Sequence, residues 1–216
     1  MLIYAVADIH GRSDRLRAIL ANVALHRPDV LVMAGDIFKG RRPGVLEKLV
    51  SGISVPILSI GGNSDGRRLN TVPDRFAGLK TLHLMRETVQ GIEFVGISGT
   101  LPLPFHSRLG FREAGQEACA ARLLSEHSVL VVHPPPYGTR DRVFGRFHAG
   151  SRAVARLVDR CSPRLVLCGH IHEQAGVTSR DRTVVVNCAM GRGGQGALIR
   201  YDGRSVPQCR MLTQGG

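Results

Sequence analysis

Tryptophan is absent from this chain of 216 residues, and aromatic residues make up only 5% of it. Cysteines are few and scattered. Cys119, Cys161, Cys168, Cys188 and Cys209 form no CxxC pair and no regular spacing, which excludes a disulfide framework. Cys168 and Cys188 stand in apolar runs and read as small buried hydrophobes. The opening MLIYAVADIH carries no basic leader and only a short apolar stretch before Asp8, so neither a signal peptide nor a membrane span is expected of it. No repeat, linker-like segment or low-complexity tract divides the chain. The expectation is a soluble cytoplasmic protein without a membrane partner, folded as a single domain over 1–216, its oligomeric state left open.

Positive charge is what the chain has in plenty. Lys and Arg number 29 against 17 Asp and Glu, a net charge of +12. That balance suits an anionic substrate or nucleic acid as well as it suits a solvated basic surface. No block of like charge and no aromatic-interleaved basic run stands out to favour nucleic acid. Hydrophobic content is ordinary at 43%, and the length suffices to bury a core.

Leu2 to Ala7 form a continuous apolar run, the pattern of a strand covered on both faces, and deliver Asp8-Ile9-His10. Gly11 opens a turn, Ser13 is a plausible N-cap, and the spacing of Leu16, Ile19, Leu20 and Val23 predicts a helix from Asp14 to His26, ended by Pro28. Val30 to Ala34 read as a strand leaving Gly35-Asp36 at its end. A helix is expected from Pro43 to about Val50. Val55 to Ile60 form a third strand, followed by Gly61-Gly62-Asn63-Ser64-Asp65. This βαβαβ opening argues for an α/β sandwich with a parallel sheet.

From Thr81 the texture changes. Thr81–Met85, Thr88–Val89 and Ile92–Ile97 read as short strands with tight turns, hence a more antiparallel region. Leu101 to Gly110 is a Pro- and Gly-containing loop on the substrate side. A helix over Glu113–Glu126 precedes a buried strand, Val129–Val132, that ends at His133. Pro134-Pro135-Pro136 then bars a helix. Ser151 to Cys161 form an amphipathic helix, Leu165 to Cys168 a strand, and Thr183–Cys188, Ala197–Tyr201 and roughly Ser205–Leu212 the closing strands.

The strand Leu165–Cys168 runs through Gly169 into His170 and His172. Two apart on an extended segment, both imidazoles would point the same way, half of a metal site. Collected over the chain, Asp8 and His10, Asp36, Asn63, His133, and His170 with His172 stand at five strand exits. In open α/β sheets the crevice beyond the carboxyl ends of the strands is where ligands bind. Seven donors over-supply one cation, whereas two cations about 3.5–4 Å apart, sharing one carboxylate, use them all. Asp36, alone at its strand end, is the natural bridge. Mixed nitrogen and oxygen ligation without thiolate suits two divalent ions of Mn, Fe, Zn, Ni or Co. His26, His83 and His127 read as surface residues. His106 and His148, in loops flanking the motifs, read either as substrate contacts or as plain loop residues, and Arg140 either as a phosphate clamp or as a solvated arginine.

The segments ADIHG (7–11), GD (35–36), GGNSD (61–65), VVHPPP (131–136) and LCGHIHE (167–173) occur in an order that resembles the calcineurin-like metallophosphoesterase superfamily over nearly the full length. VHPPPYGTRD (132–141) and HAGS (148–151) look more like its Icc-related, cyclic-nucleotide-phosphodiesterase branch. The resemblance implies a four-layer αββα sandwich with two mixed sheets. It implies a first metal on Asp8, His10 and His172, and Asp36 bridging to a second on Asn63, His133 and His170. The implied chemistry is hydrolysis of a phosphodiester by hydroxide formed on the two metals, cyclic nucleotides being the first guess. A phosphomonoesterase, a nuclease or a non-catalytic scaffold of the same fold are the alternatives; the expected partner is a small phosphoester, a nucleotide among the candidates, with nucleic acid not favoured. One departure matters: many members carry His after the Asn, near the leaving group, and here that residue is Ser64. Asp65, which could orient such an imidazole, joins Asn63 as a catalytic candidate.

Overall fold

The computed structural model describes residues 1–38, 50–65, 78–99, 110–191 and 193–214. The expected helix from Pro43 to about Val50 and the loop Leu101–Gly110, with His106, fall almost wholly outside the described residues. Two mixed sheets of six strands organise the rest. The first runs β14 (Gln208–Thr213), β13 (Gly194–Arg200), β1 (Leu2–Val6), β2 (Val30–Ala34), β3 (Ile57–Ile60), β4 (Leu79–Thr81). Its β1 to β4 are parallel, and β13 closes antiparallel on β1. The second runs β11 (Gly176–Arg180), β12 (Thr183–Asn187), β10 (Leu165–Cys168), β7 (Val129–Val132), β6 (Ile92–Ile97), β5 (Arg86–Val89). Here β12, β10, β7 and β6 are parallel, and only the edges β11 and β5 are antiparallel. The antiparallel texture expected beyond Thr81 is therefore confined to edges. Short connections mimic hairpins in the sequence, but the buried strands β7 and β10 pair side by side because helices cross over between them.

Alternation within the apolar runs explains the layers. Ile3, Ala5 and Ala7 face inward with Val30, Val32 and Ala34 and meet Phe94, Val129, Val131, Leu165, Leu167 and Val186 of the other sheet. Tyr4, Val6, Leu31 and Met33 face outward against Ile19 of α1 (Ser13–His26). Leu130, Val132, Val166 and Val185 pack on Ala120 of α2 (Gly110–Leu123) and on Val154, Leu157 and Val158 of α3 (Arg152–Cys161). The result is the four-layer αββα sandwich, with both faces of each central strand covered. Among the described residues no helix is long and apolar enough to cross a membrane.

Boundaries moved where side-chain capping was the only signal. Arg12, not Ser13, is the N-cap of α1, and no side chain caps that end. β4 ends at Thr81, and His83 bridges to Gly96 beyond it. Two features had no alternating or continuous apolar run to betray them: the edge strand β11 and a small hairpin, β8 (Arg142–Val143) with β9 (Phe147–His148).

Both sheets present their carboxyl ends to one rim. Ala7 N donates to Cys188 O at 3.1 Å, Met190 N to Ala7 O at 3.0 Å, and Gly169 N to His133 O at 2.9 Å, so neighbouring strand exits are tied by main chain. The segment after His133 is anchored through α3: Ser151, buried, accepts the Val154 N–H on its Oγ at 2.9 Å as N-cap. Replacing Ser151 by Ala should cost about 1 kcal/mol, the usual worth of such a cap. Urea unfolding measures it; a loss within a few tenths would show that the cap does not hold this helix start.

Candidate metal centre

The donors leave their strands through strained backbone. Asp8 (φ +58°), His10 (+52°), Asp36 (+53°) and His170 (+71°) all sit in the left-handed region. Non-glycine residues stay there only where surrounding contacts over-determine them, most often at functional sites. The contacts are visible. His10 N donates to Asp36 O at 2.9 Å, Asp8 N to Gly35 O at 3.0 Å, and the Arg15 guanidinium to the Asp8 carbonyl.

Each of the two buried carboxylates has one oxygen fixed and one left over. Asp8 Oδ2 accepts the His170 main-chain N–H at 2.9 Å, and Asp36 Oδ1 accepts that of Ser64 at 2.8 Å. Asp8 Oδ1 is buried and, among the described residues, takes no main-chain hydrogen bond. Around it stand His172 Nε2 at 3.0 Å and His10 and His133 Nε2, each at 3.9 Å. Asp36 Oδ2 lies 3.8 Å from His10 Nε2 and 3.6 Å from His133 Nε2. Asn63 Oδ1 is 3.0 Å from His133 Nε2, whose opposite nitrogen lies 2.8 Å from Ala34 O.

The four imidazoles fall into two pairs. His10 and His172 meet edge to face at 5.6 Å, His133 and His170 at 5.1 Å. This corrects the extended geometry expected for the GHIH segment. With His170 left-handed and His172 opening a 3-10 turn (His172–Gln174), the two rings go to different partners. Asp8, His10 and His172 form one group able to hold a cation, and Asp8, Asp36 and His133 another, the ligand atoms of each lying within 4.8 Å of one another. Donor atoms roughly 3–4 Å apart are what bonds of about 2.0–2.2 Å to a shared cation require. All seven anticipated donors are thus gathered at the rim.

Electrostatics follow from burial and from the carboxylates. Burial lowers the pKa of His10 and of His170, against the pull of Asp8 and Asp36. Burial also disfavours the His133 imidazolium, but Asp36 and Asp8 outweigh it and its pKa is raised. The Asp8 carboxylate raises His172 in the same way. Burial opposes ionisation of Asp36, yet His133 and the Ser64 N–H hold its carboxyl down to about 2. Asp36 thus supplies negative charge, while burial favours the neutral, metal-binding form of His10 and His170.

The remaining anticipated residues stand otherwise. Asp65 is buried, and both oxygens are occupied by main chain: Oδ1 accepts from Phe38 N at 2.7 Å and Oδ2 from Gly62 N at 2.8 Å. It braces the turn that carries Asn63, a different task from the catalytic one anticipated. The Ser64 hydroxyl donates to Phe38 O at 2.8 Å. The Arg140 guanidinium turns to the carbonyl of Val177, with Gly176 beneath it. His148 Nδ1 is held at 2.7 Å by the buried Asp141 on the β8–β9 hairpin. Sequence reasoning missed Arg15, half-buried beside His10 and His172; one of many arginines, its only signal was its place in the first turn of α1.

An αββα sandwich that gathers carboxylates, an amide and imidazoles at one rim presents two candidate cation sites. Residues 1–174 match the calcineurin-like phosphoesterase family model, and the chain belongs to that family. It is 34% identical over 112 residues to UPF0046 protein K07C11.7 of Caenorhabditis elegans, covering 50% of this chain and 36% of that one. It is 27% identical over 188 residues to the probable cyclic nucleotide phosphodiesterase syc0937_d of Synechococcus sp., covering 82% of this chain and 70% of that one. The matched stretch is thus about a third of the worm protein's length. The crystal structure of TT1561 of Thermus thermophilus shares the fold at a TM-score of 0.70 with 16% identity, covering 98% of each chain.

Glycines make room for the carboxylates. A Cβ on Gly62 would overlap Asp36 Oδ1, and one on Gly169 would come to 2.5 Å of Asp8 Oδ2. Gly62→Ala should therefore displace Asp36 and weaken divalent-metal binding by about 10–100-fold, the usual effect of disturbing a ligand's support. Gly115→Ala, where a Cβ meets nothing within 4 Å, is the matched control. Calorimetric titration with Mn²⁺ decides; equal affinity in both variants would refute the crowding argument.

Proposed function

We propose that this chain is a dinuclear-metal-dependent phosphodiesterase that holds its cations on Asp8, His10, Asp36, Asn63, His133, His170 and His172. One observation carries the reading: two buried carboxylates each keep one oxygen that no main-chain N–H fixes, and these oxygens, Asp8 Oδ1 and Asp36 Oδ2, face imidazole nitrogens 3.0 to 3.9 Å away. A buried anionic oxygen in that state costs several kcal/mol unless a cation completes it. Asp36 Oδ2, close to one imidazole of each pair, suits the bridging role. The chemistry supplied by a bound pair of divalent cations is acidification of water and neutralisation of phosphoryl charge.

The chain's own residues set what can be hydrolysed. Ala34 O accepts from His133 Nδ1–H and so aims Nε2 at the donors. Ser64 offers no imidazole beside the leaving group, and its hydroxyl is engaged with Phe38 O. A monoester dianion with an alkoxide leaving group gains most from a neighbouring acid, worth roughly 10²–10⁴-fold, whereas a diester with a better leaving group needs it less. A diester, with a cyclic nucleotide as the first to try, is therefore the substrate class. The name of the Synechococcus relative supports the same choice. His148 remains a substrate contact in this reading, and the setting is cytoplasmic.

Chelation should abolish hydrolysis of a bis-aryl phosphate, and Mn²⁺ or a related ion should restore it at about two metals per chain. Asp36→Asn should empty both positions, while His172→Ala should empty about one. Full turnover in protein shown by elemental analysis to be metal-free would sink the proposal.

The Ser64 argument has its own test. The wild type should prefer an aryl diester to the aryl monoester, and Ser64→His should raise the monoester rate relative to the diester rate at equal metal content. A wild type that already favours the monoester removes the basis for calling this a diesterase.

A further inference from the structure

The β8–β9 hairpin displays its large apolar residues to solvent. Phe144 is 82% exposed and Phe147 66%, out of 7 phenylalanines in the whole chain. Its sequence, RVFGRFH from 142 to 148, interleaves two rings with two arginines, a run too short to stand out in the sequence. Arg142 and Arg146 are exposed and pair with no carboxylate among the described residues. Single exposed hydrophobics are ordinary; two on one short hairpin beside unpaired guanidiniums are not.

The tip is built for this display. Arg146 N donates to Val143 O at 3.2 Å across a turn whose central residues, Phe144 (φ +51°) and Gly145 (φ +67°), are both left-handed. Such a turn ordinarily takes Asn-Gly, because a bulky side chain is strained there. Here the strained position carries a phenyl ring that contributes nothing to the core. The tip is also fixed in place: the Phe144 N–H donates to Glu173 Oε1 at 2.7 Å, and Glu173 follows His172 in the 3-10 turn. The hairpin therefore stands beside the metal centre.

We propose that this hairpin is a stacking platform for single-stranded nucleic acid, the bases lying on Phe144 and Phe147 and the phosphates reaching Arg142 and Arg146. The inference rests on the phosphodiesterase reading and extends its substrate class from a cyclic mononucleotide, with one base, to an oligonucleotide. Small ligands are ordinarily enclosed in a concave site, whereas exposed rings on a hairpin suit a strand that runs across them. Aromatic rings alternating with cations are the sequence-tolerant means of holding such a strand, and the net charge of +12 has the right sign.

The test is fluorescence anisotropy of a labelled 12-mer oligothymidylate with the full chain in chelator, which prevents cleavage. The wild type should bind, and more weakly as salt rises. The double variant Phe144→Leu/Phe147→Leu keeps apolar bulk without a π-face and should lose on the order of tenfold or more in affinity. Phe144→Trp/Phe147→Trp should hold or tighten binding, which also shows that substitution there does not unfold the protein. Arg142→Gln and Arg146→Gln should each lower the logarithmic salt slope by about one. No binding by the wild type, or equal binding by the Leu variant, overturns the platform. So does a Phe-dependent association with phosphatidylglycerol vesicles in place of the oligonucleotide. Turnover of bis-aryl phosphate by the Mn²⁺-loaded wild type separates the two readings: Phe-dependent oligonucleotide binding without turnover leaves the platform standing and refutes the hydrolase.

Discussion

The hydrogen bond from the His170 main chain to Asp8 Oδ2, 2.9 Å long, joins the exit of one sheet to the exit of the other. A charged acceptor makes it stronger than a neutral main-chain bond. It fixes which way the Asp8 carboxylate turns, and so leaves Oδ1 facing the imidazoles. The cost lies in the backbone: four donors are held in the left-handed region, each strained by about 1–3 kcal/mol. Together that is comparable with the whole stability of a typical domain, about 5–15 kcal/mol. Such a rim survives only because the strands behind it are covered on both faces by aliphatic side chains.

The same rim explains why the donor set calls for a cation. Ala34 O can only accept, so His133 Nδ1 carries the proton and Nε2 turns a lone pair toward Asn63 Oδ1 at 3.0 Å and Asp36 Oδ2 at 3.6 Å. Lone pairs facing lone pairs in a buried site repel unless something positive stands between them. A proton is one solution, which is why His133 and His172 are pushed to higher pKa values by the carboxylates. A metal ion is the other, and because it must displace those protons its binding is coupled to pH.

Candidate donors were legible because strand exits announce themselves: an apolar run and then a polar residue, with a glycine between before Asp36 and His170 but not before Asp8 and His133. Asp8, Asp36, His133 and His170 could all be found that way. How the rings divide was not legible from the strand pattern, although the resemblance implied the pairing of His10 with His172 and of His133 with His170. His170 and His172 look parallel on paper, and the left-handed turn between strand and 3-10 helix, which separates them, leaves no periodic trace. Nor was Asp65 readable as a brace, because its work is done by hydrogen bonds to Phe38 and Gly62, one of them distant in sequence. The β11 strand escaped because half-exposed edge residues need neither alternate nor be apolar, and the hairpin escaped because its strands have two residues each.

The stretch between β7 and α3 shows a second way of making a rigid wall. Prolines 134 to 136 deny it a helix, yet it is not slack. Asp141, buried, gathers the Gly138 and Gly150 N–H groups on Oδ2 at 3.0 and 3.1 Å and holds His148 on Oδ1 at 2.7 Å. From outside, Arg180 donates to Tyr137 O and Thr139 Oγ1 while gripping Asp159. One carboxylate within and one guanidinium without replace the ladder that a strand would supply. The candidate donors depend on strand ends and the hairpin on this braced segment, and Glu173 is one tie between them. The segment around Asp141 is thus built separately from the strand ends, so its loops can vary while the residues at the rim keep their geometry.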